Sequence, residues 1–160
     1  MNKIYLDFTI RDWQKRDRTA AANVIQQVLQ EYSLSWEPTG ADRDVIDVET
    51  AYLSVGGEFW VIERQREVVG TAAYYPIARG NQAVEIRKMY LLPEVRGKGL
   101  GKYLLKQLED AIALKGFQEI WIETASVLKE AVILYENSGY LRTTGTETQR
   151  CDRVYLKSLI

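Results

Sequence analysis

The amino-acid sequence predicts a single mixed α+β domain over residues 1–160. Two observations carry this expectation. Hydrophobic spacing switches between the helical and the alternating period along the chain, and in the second half the order runs strand–helix–strand–helix–strand. No internal repeat, low-complexity tract or Pro/Ser linker divides the 160 residues, a length able to bury one real core.

Taken in order, Phe8 to Arg11 reads as a first short strand. From Ala20 to Tyr32, the residues Ala21, Val24, Ile25, Val28, Leu29 and Tyr32 fall at helical spacing, and Ser33 to Gly40 reads as loop. Asp42 to Leu53 is a polar helical segment ending before Gly56-Gly57. Phe59 to Glu63 and Val68 to Tyr75 are strands joined by the polar turn Arg64 to Glu67, and Ala83 to Leu92 follows the Gly80-Asn81 turn as a third. Within that strand Val84 and Ile86 share one face, whereas Met89 and Leu91 are in the opposite phase. A slip of one residue inside a strand is what a β-bulge produces, and bulges are frequent beside active sites.

Helical spacing returns with Leu100, Leu104, Leu108, Ala111 and Ile112, and Gly116 closes that helix. Glu119 to Glu123 is a strand, Leu128 to Asn137 a helix closed by Gly139, and the alternation of Val154 and Leu156 marks a last strand.

Composition narrows the chemistry. Lys+Arg 21 against Asp+Glu 22 supplies no basic excess for a nucleic-acid groove. Without any histidine there is no Ser-His-Asp or Cys-His triad and no histidine-ligated zinc. The single cysteine, Cys151, has no partner for a disulfide or a Cys-rich metal site. A general base is therefore a carboxylate, a lysine, a tyrosine or water. The opening MNKIYLDFTIRD carries Asp7 and no long apolar core, which does not read as a signal peptide, and no apolar run reaches membrane-spanning length. A cytoplasmic protein with neither a nucleic-acid nor a membrane partner, and without a metal, is expected.

The segment Arg96-Gly97-Lys98-Gly99-Leu100-Gly101 lies between a strand and a helix. It is no P-loop, because Arg96 stands five residues before Gly101-Lys102 and Tyr103 follows. It is no dinucleotide fingerprint either, since the third small position is Lys102 or Leu104. What remains is a glycine turn bearing Arg96, Lys98 and Lys102 at a helix start. Its free N–H groups and the positive end of the helix dipole suit a pyrophosphate. On local physics alone, a turn that merely shapes the chain explains Gly97 and Gly99 equally well.

The run from Val84 to Val95 followed by RGKGLG resembles the central motif of the GNAT (GCN5-related) N-acetyltransferase superfamily, Arg/Gln-x-x-Gly-x-Gly/Ala. The strand EIWIET and the helix Ala131 to Tyr140 continue the likeness, the latter similar to the family's Ala-x-x-Leu-Tyr-x-x-x-Gly-Phe. The resemblance, covering almost the whole chain, implies a GNAT-like fold. That fold has a central, mostly antiparallel twisted sheet with one parallel strand pair, flanked by helices on both faces. It also implies acetyl-CoA as co-substrate and direct acetyl transfer to a primary amine of a small molecule or peptide.

Residue by residue, the resemblance implies that the backbone of Met89, Tyr90 and Leu91 binds the pantetheine arm. It implies that Gly97, Lys98, Gly99, Leu100, Gly101 and Lys102 hold the pyrophosphate with Arg96 nearby. Tyr135 occupies the position of the family's usual acid toward the departing sulfur, and Glu85 that of a carboxylate base. One position departs: the helix residue seven before the tyrosine, often Asn in the family, is Leu128. Local alternatives stand beside these roles. Tyr135 can be a core tyrosine, and Glu85 can simply pair with Arg87 on a half-exposed strand.

The acidic and aromatic residues Glu31, Tyr32, Trp36, Glu37, Asp42, Asp44 and Asp47 lie where the family lines its acceptor site. They fit either recognition of a cationic amine or an ordinary solvated helix face. Tyr74 and Tyr75 either reach the same cleft or pack. Two competing readings use the same turn, a non-catalytic acyl-CoA-binding regulatory module and a nucleotide-phosphate binder. A homodimer through a free strand edge or the final strand is a further expectation.

Overall fold

A computed structural model describes residues 1–160 as one eight-stranded sheet with helices on both faces. In chain order the strands are β1 (Asn2–Tyr5), β2 (Phe8–Asp12), β3 (Glu58–Arg64), β4 (Glu67–Ile77), β5 (Ala83–Leu91), β6 (Glu119–Thr124), β7 (Leu141–Thr143) and β8 (Arg153–Ser158). The helices are α1 (Arg18–Glu31), α2 (Arg43–Ile46), α3 (Leu100–Leu114) and α4 (Lys129–Asn137). The strand order is β1-β2-β3-β4-β5-β6-β8-β7, with every neighbour antiparallel except the parallel pair β5/β6. That pair is the one place where α3 must cross over, as a parallel connection requires.

The two faces carry two cores. Ile86, Ile120 and Ile122 pack beneath Leu100, Leu104, Leu105, Leu108 and Ile112 of α3 and Val132 of α4, all buried. On the opposite face Phe59, Val61 and Ala73 receive Ala21, Ile25 and Leu29 of α1 together with Val45, Val48 and Tyr52. The periodicities read from the sequence place these helices correctly because each amphipathic stripe has a sheet face to cover.

Three features differ from the sequence reading. β1 precedes the first expected strand; its hairpin turn, Leu6-Asp7, lacks the Asn-Gly or Asp-Gly signal, and Leu6 takes φ 53° without glycine. β7 is a three-residue edge strand, too short to show alternation. The expected helix over 42–53 is instead the single turn α2 followed by a π-helical turn, Glu49–Leu53. No helix is long and apolar enough to cross a membrane.

Candidate active site

The parallel pairing of β5 and β6 runs only from Ala83↔Glu119 to Ile86↔Ile122. Beyond it β5 continues to Leu91 against β4 alone. The cause is a bulge: Ala73 pairs with Arg87 but Thr71 pairs with Tyr90, so β5 carries one extra residue there. Lys88 takes φ 52°, and its carbonyl accepts the Thr71 hydroxyl at 2.6 Å. The phase shift read between Ile86 and Met89 has this origin. The strand edge thus freed faces Glu123, Thr124 and Ala125 across a cleft of about 270 Å³.

At one end of the cleft lies the glycine turn. Gly97 and Gly99 both sit at φ 77°, a backbone region favouring glycine. A Cβ on Gly97 would meet nothing within 4 Å, whereas one on Gly99 would lie 2.7 Å from the Tyr5 hydroxyl. That hydroxyl donates to the Lys98 carbonyl at 2.8 Å, and Tyr5 stacks on Tyr103 with ring centroids 4.5 Å apart. The predicted set therefore divides. Arg96, Gly97, Gly101 and Lys102 line the cleft, together with Met89, Tyr90 and Leu91. Lys98 and Gly99 turn toward β1, and Leu100 is buried in the core.

The first intrahelical bond of α3 runs from Tyr103 N–H to Gly99 O at 3.0 Å, leaving the preceding N–H groups free for an anion. Lys102 is exposed and makes no ion pair, so its charge is available there. Arg96 is differently placed. It forks onto Glu31 at 2.7 and 2.8 Å, donates to Leu91 O at 3.0 Å and reaches the Tyr32 hydroxyl at 3.3 Å. Its guanidinium is fixed beside the turn, with its charge already balanced. The residues present thus fit a pyrophosphate through backbone and Lys102 more than through Arg96. Leu128, at the start of α4, adds an apolar wall where a polar clamp was in question.

Tyr135 reaches the same cleft from α4. It is buried against Tyr140 and Tyr155, with ring centroids 6.0 and 6.1 Å away, and its hydroxyl has no protein hydrogen-bond partner. Burial, with Tyr90 and Cys151 close by, raises its pKa, so it stands protonated at neutral pH. Cys151 lines the cleft as well, and burial pushes its thiol up to about 11.

Glu85 is buried on the α1 side of β5. The Tyr75 hydroxyl donates to it at 3.2 Å, and Arg87 Nε lies 3.5 Å from Oε2. Burial raises the Glu85 pKa above the ordinary 4.5; Arg87 opposes that shift and Glu123 adds to it. Tyr75 therefore contacts Glu85, although neither it nor Tyr74, which is buried and whose hydroxyl donates to Glu58, lines the cleft.

The acids expected near the acceptor are all ion-paired, Asp42 and Asp44 in the interior and Glu31, Glu37 and Asp47 on the surface. Asp42 is fully buried. Lys88 Nζ lies 2.9 Å from its carboxylate, and Arg150 forks onto it at 2.6 and 2.6 Å. Burial alone would raise its pKa, but Arg150 and Lys88 outweigh burial and hold it at about 2. Lys88 also donates to Ala41 O at 3.0 Å and lies 3.4 Å from Asp44, which accepts the Tyr52 hydroxyl. Glu31 is taken by Arg96, and Asp47 pairs with Arg43 at 3.1 Å.

This clamp joins the 32–42 loop, the β5 bulge and the loop before β8, and Arg150 further donates to Ser35 O at 2.8 Å. Arg79 fastens the last of these loops. It lies 3.2 Å from Glu123, donates to Gly145 O at 2.7 Å and covers the Trp121 ring at 4.2 Å. Sequence reasoning missed Lys88, Arg150 and Arg79, and named Arg87 only as the neighbour Glu85 could pair with, which is where the structure puts it. Only the bulge signal pointed near any of the missed residues.

The Acetyltransferase (GNAT) family model matches residues 25–140. An uncharacterized N-acetyltransferase of Escherichia coli K12, YjgM, is 38% identical over 128 residues, covering 78% of this chain and 77% of the relative. The chain spans about half the length of the mouse and rat N-acetyltransferase family 8 relatives it matches. A GNAT-family acetyltransferase from Staphylococcus aureus Mu50 superposes with a TM-score of 0.88 at 19% identity, over 96% of this chain and 99% of the other. YncA from Salmonella typhimurium, determined with its cofactor acetyl-CoA, superposes at 0.76 with 21% identity, over 96% and 95%. At such identities the two structures establish the fold.

Proposed function

This chain belongs to the Acetyltransferase (GNAT) family and is an N-acetyltransferase, and we propose that it transfers an acetyl group from acetyl-CoA directly to a primary amine of a small molecule or peptide. The observation that carries the proposal is the cleft opened by the β5 bulge, lined by both an anion-ready helix start and the unbonded Tyr135 hydroxyl.

Acetyl-CoA, when bound, supplies the activated thioester. In this reading the edge of Met89, Tyr90 and Leu91 takes the pantetheine arm as an added strand. The first N–H groups of α3 and Lys102 take the pyrophosphate, and Gly97 leaves room for it. Glu85 accepts the proton that the substrate ammonium releases, directly or through water. The neutral nitrogen then bonds the acetyl carbon as the C–S bond breaks, with a backbone N–H near Tyr90 or Leu91 steadying the oxyanion. Tyr135 gives its hydroxyl proton to the departing sulfur and regains one, through solvent, from the new amide nitrogen.

Magnitudes rank the two groups. Deprotonating an alkyl ammonium of pKa about 10.4 at pH 7 costs roughly 4–5 kcal/mol, whereas a thiol of pKa about 8.5 is already a fair leaving group. For an alkyl amine Glu85 carries the larger share and Tyr135 the smaller.

Calorimetry with acetyl-CoA tests the donor half, and no binding at millimolar concentration ends the proposal. Tyr135→Phe is expected to lower kcat about 10- to 100-fold while leaving acetyl-CoA affinity nearly unchanged. An unaltered kcat removes Tyr135 from the reaction.

A further inference from the structure

Four cationic side chains gather near the acceptor end of the cleft, and three are committed. Lys88 and Arg150 hold Asp42 at 2.9 and 2.6 Å, and Arg79 holds Glu123 at 3.2 Å. Arg87 is the exception. Its nearest carboxylate, Glu85, lies at 3.5 Å without a hydrogen bond. Its two terminal nitrogens reach only the Tyr75 hydroxyl at 3.5 Å and Ala41 O at 3.3 Å, the long end of the bonding range. The side chain is 22% exposed and lines the cleft, two residues from Glu85 on the same face of β5. A guanidinium in this state still has the planar fork that matches a carboxylate.

We propose that the acceptor is an amino acid, or another amine with a carboxylate close to its nitrogen, whose carboxylate Arg87 grips while its ammonium faces Glu85. The inference deepens the acetyl-transfer reading and rests on it. Glu85 and Arg87 form a loose pair of opposite charges, and a zwitterion presents each of them with its complement. A plain amine engages Glu85 alone and leaves the fork of the partly buried guanidinium without a hydrogen-bonded anion. A diamine brings a second positive charge toward Arg87. Asp42, which would offset such a charge, is already bound to Lys88 and Arg150.

The test uses the full chain with saturating acetyl-CoA and follows release of the CoA thiol. Acceptors are offered in matched sets: L-phenylalanine, phenylalaninamide and phenethylamine; L-methionine and 3-methylthiopropylamine; L-glutamate and γ-aminobutyrate. In at least one set the α-carboxylate is expected to raise kcat/KM by about 30-fold or more. Arg87→Met should collapse that ratio to near unity, and Arg87→Gln provides the same reading if the methionine variant folds poorly. The inference is overturned if the decarboxylated amine or amide matches the amino acid in every set, or if the preference survives in the folded variant. Amines acetylated without regard to the carboxylate defeat this inference alone. Silence with every acceptor defeats acetyl transfer to such amines as well.

Discussion

The two ends of the cleft are built in opposite ways. The end with the glycine turn comes from one continuous stretch, Met89 to Lys102, in which a strand edge, a turn and a helix start follow one another. The end proposed to take the acceptor is assembled from side chains far apart in sequence: Asp42, Glu85 to Lys88, Glu123 and Arg150, with Asp42 and Arg150 separated by 108 residues. In the proposed reading the first end works through backbone groups, which any suitable chain geometry supplies. The second works through particular charges, each needing its partner. A backbone site tolerates side-chain change, and a charge-built site does not.

The largest expected effect breaks the acceptor end. Asp42→Ala leaves Lys88 and Arg150 buried without their shared counter-charge, and a loss of about 3–5 kcal/mol is expected. That corresponds to a fall in Tm on the order of 10 °C by thermal denaturation. An unchanged Tm would mean that the clamp contributes nothing to the fold. The same group sets an acid limit. Its folded-state pKa of about 2 lies below the ordinary 3.8, so its contribution is complete above about pH 4 and is lost as pH falls toward 2. The variant should show a shallower dependence of Tm on pH in that window.

Next in size is Glu85→Gln. A loss on the order of 100-fold or more in kcat/KM for an alkyl amine is expected. Because burial raises the Glu85 pKa, the base-competent carboxylate is lost as pH falls through a value above the ordinary 4.5. The acid limb of the kcat/KM profile should therefore lie above pH 4.5 and vanish in the variant. A limb that persists assigns the titration to another group. Smallest is Lys102→Met at the other end, where the exposed charge assists a backbone site. A rise of about 3-fold in KM for acetyl-CoA is expected, shrinking at high salt. A rise of 100-fold would make that end charge-built too and erase the contrast.

The same contrast explains what could be read from the sequence. The bulge was legible because its evidence is local: Val84 and Ile86 lie in one phase, Met89 and Leu91 in the other. The glycine turn and the Tyr135 helix were legible for the same reason, although sequence could not tell that Lys98 and Gly99 face Tyr5 while Leu100 enters the core. β1 was missed because its turn, Leu6-Asp7, carries no turn signature. The clamp was invisible because nothing near Asp42 announces Arg150, and spacing carries no information about a contact made across the fold. The acidic run from Glu31 to Asp47 accordingly looked like surface.

The Lys88 bulge has a consequence for redesign. The backbone kink that frees the edge of β5 also sends the lysine into Asp42, so one residue belongs to both halves of the cleft. Exchanging the 32–42 loop for that of another member would import a new acceptor wall. Unless the incoming loop brings an acid to position 42, it would also strand two cations in the interior. Loop grafting in this chain is therefore a trade in matched sets, with residues 42, 88 and 150 changed together or left alone.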